Sequence, residues 1–387
     1  METKVVNFII FFSIALAIYG VVNVYIFIRG WQSLPDSAVF RIPYLVLFLL
    51  LSLSYIAGRV LERFTICVPS ACMIWIGSIW FGLMLYLFLG VILCDLLRLV
   101  NWLAGVVPPG SELYVRVKQA SAAVVALAAV IIVIAGYFNT LNPRLTRLSV
   151  TIPKKSGSRQ ELNIALVSDI HLGIIIKNSR LQNMVDMVHV IRPDLVLLCG
   201  DIVDEDLAPV IENNLGELLK SLRSRYGTFA VTGNHEYIGG VEEAARYLAD
   251  HKVRLLRDEA VLVDGSFYLV GREDRSISQF TGARRKPLAQ IMKGVDTSLP
   301  VIMMDHQPIR LSEAVGHGVD LQVSGHTHHG QLWPATIITR LIYEVSYGFK
   351  QIGGTSFYVS CGFGTWGPPA RVGTRPEVVH INIRFKE

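Results

Sequence analysis

The stretch Leu321–Trp333 reads LQVSGHTHHGQLW, a short apolar run that ends in glycine and then places three histidines within four positions. Crowding imidazoles at the end of a buried strand is costly, because neutral ring nitrogens need partners and protonated ones repel each other. A metal ion removes that cost. The stretch therefore predicts a strand whose carboxyl end carries metal ligands, and it directs attention to the ends of the other strands.

Seven more apolar runs rich in Val, Ile and Leu surround it: LNIALVSD from Leu162, DLVLLCGD from Asp194, GTFAVTGN from Gly227, FYLVGRED from Phe267, LPVIMMDH from Leu299, TSFYVSCG from Thr355 and EVVHINI from Glu377. Runs of this composition suit strands buried on both faces. Helical patterns separate them. One opened by Ser179 lines up Leu181, Met184, Val185 and Val188, and another covers Val241–Ala249. A segment rich in Lys, Ser and Gly, Thr151–Gln160, reads as a linker.

Five strand ends present polar groups: Ser168-Asp169-Ile170-His171, Gly200-Asp201-Ile202-Val203-Asp204, Gly233-Asn234-His235-Glu236, Asp305-His306-Gln307-Pro308 and Gly325-His326-Thr327-His328. In open sheets ligands bind at the carboxyl ends of strands. Asp169 and His171 are two residues apart, as are His326 and His328, so in extended chain each pair projects to one side and can grip one ion. Glycine before Asp201, Asn234 and His326 lets the backbone turn and approach closely. Four imidazoles, two carboxylates and one amide oxygen suit a borderline divalent metal such as manganese, iron or zinc. Seven ligands exceed one tetrahedral zinc and match two ions that share a bridging carboxylate.

The first part of the chain has a different texture. Of 387 residues 52% are apolar, yet only eight of the 36 Lys and Arg and five of the 31 Asp and Glu fall within residues 1–140. Four uncharged stretches there, 5–28, 42–58, 71–94 and 119–138, are long enough to cross ~30 Å of hydrocarbon at ~1.5 Å per residue. They are apolar all round, which excludes a soluble bundle with polar outer faces, and the first is too long for a cleaved export signal. The expected organisation is a transmembrane region over 1–140, a linker and first strand over 141–160, and an α/β domain over 161–387. An even number of spans puts both termini on one side. That side counts Lys4, Arg59, Arg63, Arg144, Arg147, Lys154 and Lys155, against Arg29, Arg41, Arg98, Arg116 and Lys118 on the other, which favours a cytoplasmic α/β domain. Cys199 and Cys361, the two cysteines of that domain, lie in apolar runs and read as small core residues.

The order D-x-H, G-D-x-x-D, G-N-H-E, H-x-P and G-H-x-H resembles the calcineurin-like metallophosphoesterase superfamily, and its bacterial membrane-associated branch in particular. The similarity runs over residues 145–387 and extends to the closing segment SCGFGTWGPPARVGTRPEVV. It implies a two-sheet α/β sandwich flanked by helices, with loops that cradle two divalent metal ions, and metal-dependent hydrolysis of a phosphoester or pyrophosphate. Position by position, it implies that Asp169, His171, Asp201 and His328 hold one ion and that Asp201, Asn234, His306 and His326 hold the other, with Asp201 bridging. His235 is expected at the leaving-group oxygen. His329 stands where the family more commonly has glycine, and is expected to point away.

Two cations neutralise a phosphoester's oxygens and make a water nucleophilic near pH 7, while the departing alkoxide needs a proton, which His235 is placed to give. Asp204 and Glu236 are expected to orient ligands, and Arg371 to contact phosphate with its guanidinium fork. A membrane sensor or scaffold that keeps the fold without turnover is the competing class, and the complete ligand set counts against it. His189, His251, His317 and His380 read as surface or core histidines. Arg272, Arg275, Arg284, Arg285 and Lys286 read as a solvated loop, with lipid headgroups the next option and nucleic acid disfavoured. Asp95 and Arg98 read as a helix-end pair. The segment ATIITRLIYEVSYGFKQIGG, from Ala335, carries apolar residues beside the site that either pack or dock on a bilayer. Four spans exceed what anchoring needs, so a lipid-borne substrate is expected, with soluble phosphodiesters or nucleotides as the alternative.

Overall fold

A computed structural model describes residues 2–386, with side chains described except at 2–9, 11 and 12; Lys4 and part of the expected first span fall among those exceptions. Four long helices come first: α1 (Glu2–Ser33), α2 (Ala38–Glu62), α3 (Val68–Ala104) and α4 (Glu112–Thr140). Each is long and apolar enough to cross a membrane, in α1 over Ser13–Ser33. All four run past the uncharged stretches, since helix propensity does not stop at the first charge. α3 begins with proline in its first turn and ends where Gly105 takes φ 66° and donates its N–H to the Asn101 carbonyl. Asp95 on α3 accepts hydrogen bonds from Tyr25 (2.6 Å) and Arg98 (2.8 Å), with Arg29 at 2.7 Å. The expected pair is thus part of a four-residue cluster.

The α/β unit takes in residues 138–366 and 371–387. With strands numbered along the chain, its first sheet has the spatial order β1 (Arg144–Ile152), β12 (Glu377–Phe385), β2 (Glu161–Val167), β3 (Leu195–Cys199), β4 (Thr228–Val231), β5 (Val253–Leu255). The second has the order β10 (Gly348–Ile352), β11 (Thr355–Val359), β9 (Leu321–Ser324), β8 (Val301–Met304), β7 (Phe267–Gly271), β6 (Glu259–Val263). β2 to β5 are parallel, as are β11, β9, β8 and β7. β12 pairs antiparallel with β2 and parallel with β1, and so lies between them with β1 at the edge.

The sheets face each other. Leu162, Ile164, Leu166, Leu195 and Leu197 from the first interleave with Leu269, Ile302, Met304, Leu321 and Val323 from the second, all without solvent exposure. The alternate residues Ala165, Val167, Val196 and Leu198 pack outward under helix α5 (Asn178–Ile191), through Leu181, Met184, Val185 and Val188. Strands covered on both faces explain the continuous apolar runs, which lack the alternation of a half-exposed sheet. At ~25 cal/mol per Å2, each such Leu or Ile contributes about 2 kcal/mol on burial. Cys199 and Cys361 are free and buried. Eight of the strands coincide with the apolar runs; Thr151 and Ile152, read as linker, complete β1.

Candidate metal centre

All five polar strand ends converge at one edge of this sandwich. Asp169, His171 and His328 offer ligand atoms within 4.8 Å of one another, and so do Asp201, His306 and His326. Asp201 Oδ2 stands between the two sets, 3.1 Å from His306 Nε2 and 3.9 Å from His171 Nε2. His328 Nε2 is 3.4 Å from Asp169 Oδ1 and 3.1 Å from His171 Nε2.

Convergence is achieved by a conformation that the strand pattern does not predict. Asp169, His171, Asp201, His326 and His328 all take left-handed backbone angles, with φ of 52°, 53°, 50°, 70° and 46°. A side chain there costs roughly 1 kcal/mol or more per residue, and such strain collects at functional sites. The expectation that each two-apart pair projects together from extended chain is therefore corrected. Asp169 and His171 do reach one set, but through left-handed turns, and His326 and His328 face different sets because the backbone coils between them. Two glycines permit the crowding. A Cβ at Gly325 would stand 1.7 Å from Ser168 Oγ, and one at Gly233 would stand 2.1 Å from Asp201 Oδ1.

Neighbours hold each group. The Asp169 carboxylate accepts the His326 N–H at 2.9 Å and 3.1 Å and the Ser168 hydroxyl. His306 Nδ1 is 2.8 Å from the Cys199 carbonyl, so that nitrogen donates and Nε2 is left facing Asp201. Glu236 accepts four backbone N–H bonds, from Asp201 (3.1 Å), Ile202 (2.7 Å), Val203 (3.0 Å) and Gly233 (2.6 Å), and so ties the Asp201 loop to the Asn234–Gly239 helix. Asp201 Oδ1 accepts the His235 N–H at 2.9 Å. Asp204 Oδ1 lies 3.4 Å from His171 Nδ1 and 3.1 Å from His235 Nδ1.

The buried charges sort the histidines. Burial opposes a charge on His235, but Asp201 and then Asp204 outweigh it, and its pKa is raised to about 9. His306 is likewise raised against its burial by Asp201. Burial would raise Asp201, yet His306, His235 and His171 hold it well below the usual carboxylate range. His328 goes the other way, pushed well down by burial and then by His171 and Arg371, and His326 is lowered by burial and His306.

These residues fit a pair of divalent cations. Among the described residues, Asn234 Oδ1 and His306 Nε2 are buried without a hydrogen-bond partner, as are His171 Nδ1, Asp204 Oδ1 and His235 Nδ1, whose close neighbours lie off the line a hydrogen bond needs. Unsatisfied buried atoms of this kind are expensive and rare. A hard-to-borderline cation satisfies imidazole, carboxylate and amide oxygen together.

His329 turns away, with Nδ1 3.2 Å from Ser346 Oγ and Nε2 3.4 Å from Arg340 Nη2. Its φ of 48° is the left-handed angle that favours glycine at this position. Arg371 differs from expectation. It is 1% exposed, and its guanidinium donates to the carbonyls of Gly364 (3.1 Å and 2.6 Å) and Cys361 (2.6 Å) and approaches His328 Nδ1 at 3.1 Å. No exposed fork remains for a phosphate, so Arg371 positions the closing loop and His328. The basic loop is solvated only in part: Arg284 and Lys286 are exposed, whereas Arg285 makes a two-pronged contact with Asp305 at 3.0 Å and 2.9 Å and buried Arg272 donates to Glu313 at 2.8 Å. Sequence patterns gave no role to Ser168, named only as part of its strand end, or to Trp366, whose ring stands 6.4 Å from that of His235.

A family model described as calcineurin-like phosphoesterase matches residues 162–330. The chain is 34% identical to an uncharacterised metallophosphoesterase of Aquifex aeolicus, over 58% of this chain and 86% of that one. It is 28% identical to one from Campylobacter jejuni, over 98% of this chain and 100% of that one. It is also 30% identical to a Bos taurus transmembrane protein with metallophosphoesterase domain, over 74% of this chain and 67% of that one.

Proposed function

The chain belongs to the calcineurin-like phosphoesterase family, and from that premise we propose that it is a membrane-attached hydrolase of phosphoesters or pyrophosphates with a two-ion centre. Asp169, His171, Asp201 and His328 hold one divalent ion, and Asp201, Asn234, His306 and His326 hold the other, with manganese, iron or zinc the candidates. The observation that carries this reading is the position of Asp201 Oδ2 between His306 Nε2 and His171 Nε2. When bound, two such cations neutralise the ester's oxygens and make a water nucleophilic at neutral pH.

The chain's own residues do the rest. Asp204 faces Nδ1 of His235 at 3.1 Å and leaves Nε2 as the ring atom free to hand a proton to the departing oxygen. Glu236 keeps the Asp201 loop rigid through its four N–H bonds. The four apolar helices and the relatives named as transmembrane proteins support attachment to a bilayer, and the loop charges support a multi-pass arrangement with the α/β domain on the cytoplasmic side. The substrate proposed is lipid-borne.

The test uses the full-length protein in detergent, loaded with manganese, iron or zinc and offered soluble phosphomonoester, phosphodiester and pyrophosphate reporters. Hydrolysis should exceed that of His235→Ala by about 100-fold or more, the usual worth of a positioned proton donor. No hydrolysis above that variant with any metal would remove the enzymatic reading and leave a binding protein.

A further inference from the structure

The Ala335–Ile342 helix is amphipathic in reverse. Ile337, Ile338, Leu341 and Ile342 form one stripe and are 50%, 56%, 82% and 67% exposed. The other side presents buried Thr336 to the domain and brings Arg340 to His329. A helix on a globular surface turns its polar side outward, so this face calls for an apolar or interfacial neighbour. Trp333 and Trp366, 53% and 55% exposed, flank it. Trp366 is held by Gln331, two residues before Trp333, whose side chain donates to the Trp366 carbonyl and accepts its N–H, both at 2.9 Å.

We propose that this helix and the two tryptophans form a docking rim, seated in the interfacial layer of a phospholipid bilayer, around the mouth of the metal centre. The Trp366 ring lies 6.4 Å from the His235 ring, and Tyr343, just past the helix, lies 6.2 Å from the His326 ring. The rim thus borders His235 and the set that contains His326. Its composition is that of an interfacial element, with aliphatic residues on one face, tryptophans at the edge and the exposed cations Arg340 and Arg375 nearby.

The domain's own hydrogen bonds place the rim on the side where the chain arrives from α4. Asn139 Nδ2 donates to the carbonyls of Arg371 (2.9 Å) and Thr374 (2.6 Å), and Arg375 Nε donates to that of Asn142 (2.7 Å). The same segment holds the base of the rim, for Trp333 N–H donates to the Val372 carbonyl (2.8 Å) and Thr374 Oγ1 to that of Gln331 (3.2 Å). Five residues span at most ~18 Å. An apolar face so close to the exit of a membrane-length helix meets lipid first. A phosphoester carried on a lipid headgroup would then reach the ions without leaving the bilayer surface.

The inference rests on the reading of the chain as membrane-attached, and its test needs no turnover. In full-length protein carrying Cys67→Ser, Cys72→Ser and Cys94→Ser, a fluorophore is attached at Leu341→Cys, at Ile338→Cys and, as a reference, at Val190→Cys on the far end of α5. The protein is placed in phosphatidylcholine vesicles with phosphatidylglycerol. Both rim labels should be quenched by a spin label on the upper acyl chain at least about twofold more than the Val190→Cys label, and by aqueous iodide at least about twofold less. Iodide access equal to that at Val190→Cys overturns the proposal, and so does shielding from both quenchers, which would mean a second protein copy covers the face. Hydrolysis of a soluble reporter, measured on the same samples, separates failure of the rim from failure of the enzymatic reading.

Discussion

Arg371 Nη2 lies 3.1 Å from His328 Nδ1, inside the domain and out of reach of solvent. The guanidinium is itself fixed by the carbonyls of Gly364 and Cys361, so it packs a buried charge against the Nδ1 edge of His328 and leaves Nε2 facing Asp169 and His171. Arg371→Lys keeps the charge and loses the fork. It should cost about 3 kcal/mol of domain stability, the scale of one or two charge-assisted buried bonds, and weaken metal retention while KM for a soluble reporter stays within about twofold. Thermal unfolding and steady-state kinetics check this; a selective rise in KM at unchanged stability would return Arg371 to the substrate.

Glu236 is a second buried anchor. Glu236→Gln replaces one acceptor oxygen by an NH2 group that faces backbone N–H donors, so the Asp201 loop should loosen. The expected result is a loss of about 2–3 kcal/mol in stability together with at least tenfold weaker metal binding, read by calorimetric titration.

Gly325→Ala tests the close approach of the two sheets at the site. The added Cβ would stand 1.7 Å from Ser168 Oγ and 2.3 Å from Asp169 Oδ2, a clash that no rotamer relieves. The variant should lose metal content or fail to fold, whereas Gly316→Ala, where nothing lies within 4 Å, should be silent.

His329→Gly should leave metal content unchanged. It removes a contact with Ser346 but relieves a left-handed φ, so stability should move by no more than about 1 kcal/mol. A large loss of metal would make His329 a ligand.

Sequence and structure agree where burial writes itself into composition. β3 and β8 are covered on both faces and read as unbroken apolar runs, LVLLC and VIMM, followed by Gly or Asp. β5, with three residues, and β10, GFKQI at a sheet edge, leave no such trace, because edge strands are short and half polar. The ligands were legible by type and order, yet their coiled backbone was not: left-handed angles at Asp169 or His328 are imposed by tertiary contacts and carry no residue code beyond the neighbouring glycines. Arg371 misled for a related reason. A charged residue in a Pro- and Gly-rich tail reads as surface, and only the folded loop brings it the carbonyls that make its burial tolerable.

The most direct measurement is metal stoichiometry in the full-length protein and in Asp201→Asn, with His328→Ala beside them. Because Asp201 Oδ2 stands between His306 and His171, the intact protein should bind about two divalent ions per chain, Asp201→Asn should lose both at the same metal concentration, and His328→Ala should lose mainly one. A single ion in the unaltered protein, or one ion retained in both variants alike, would contradict the shared centre.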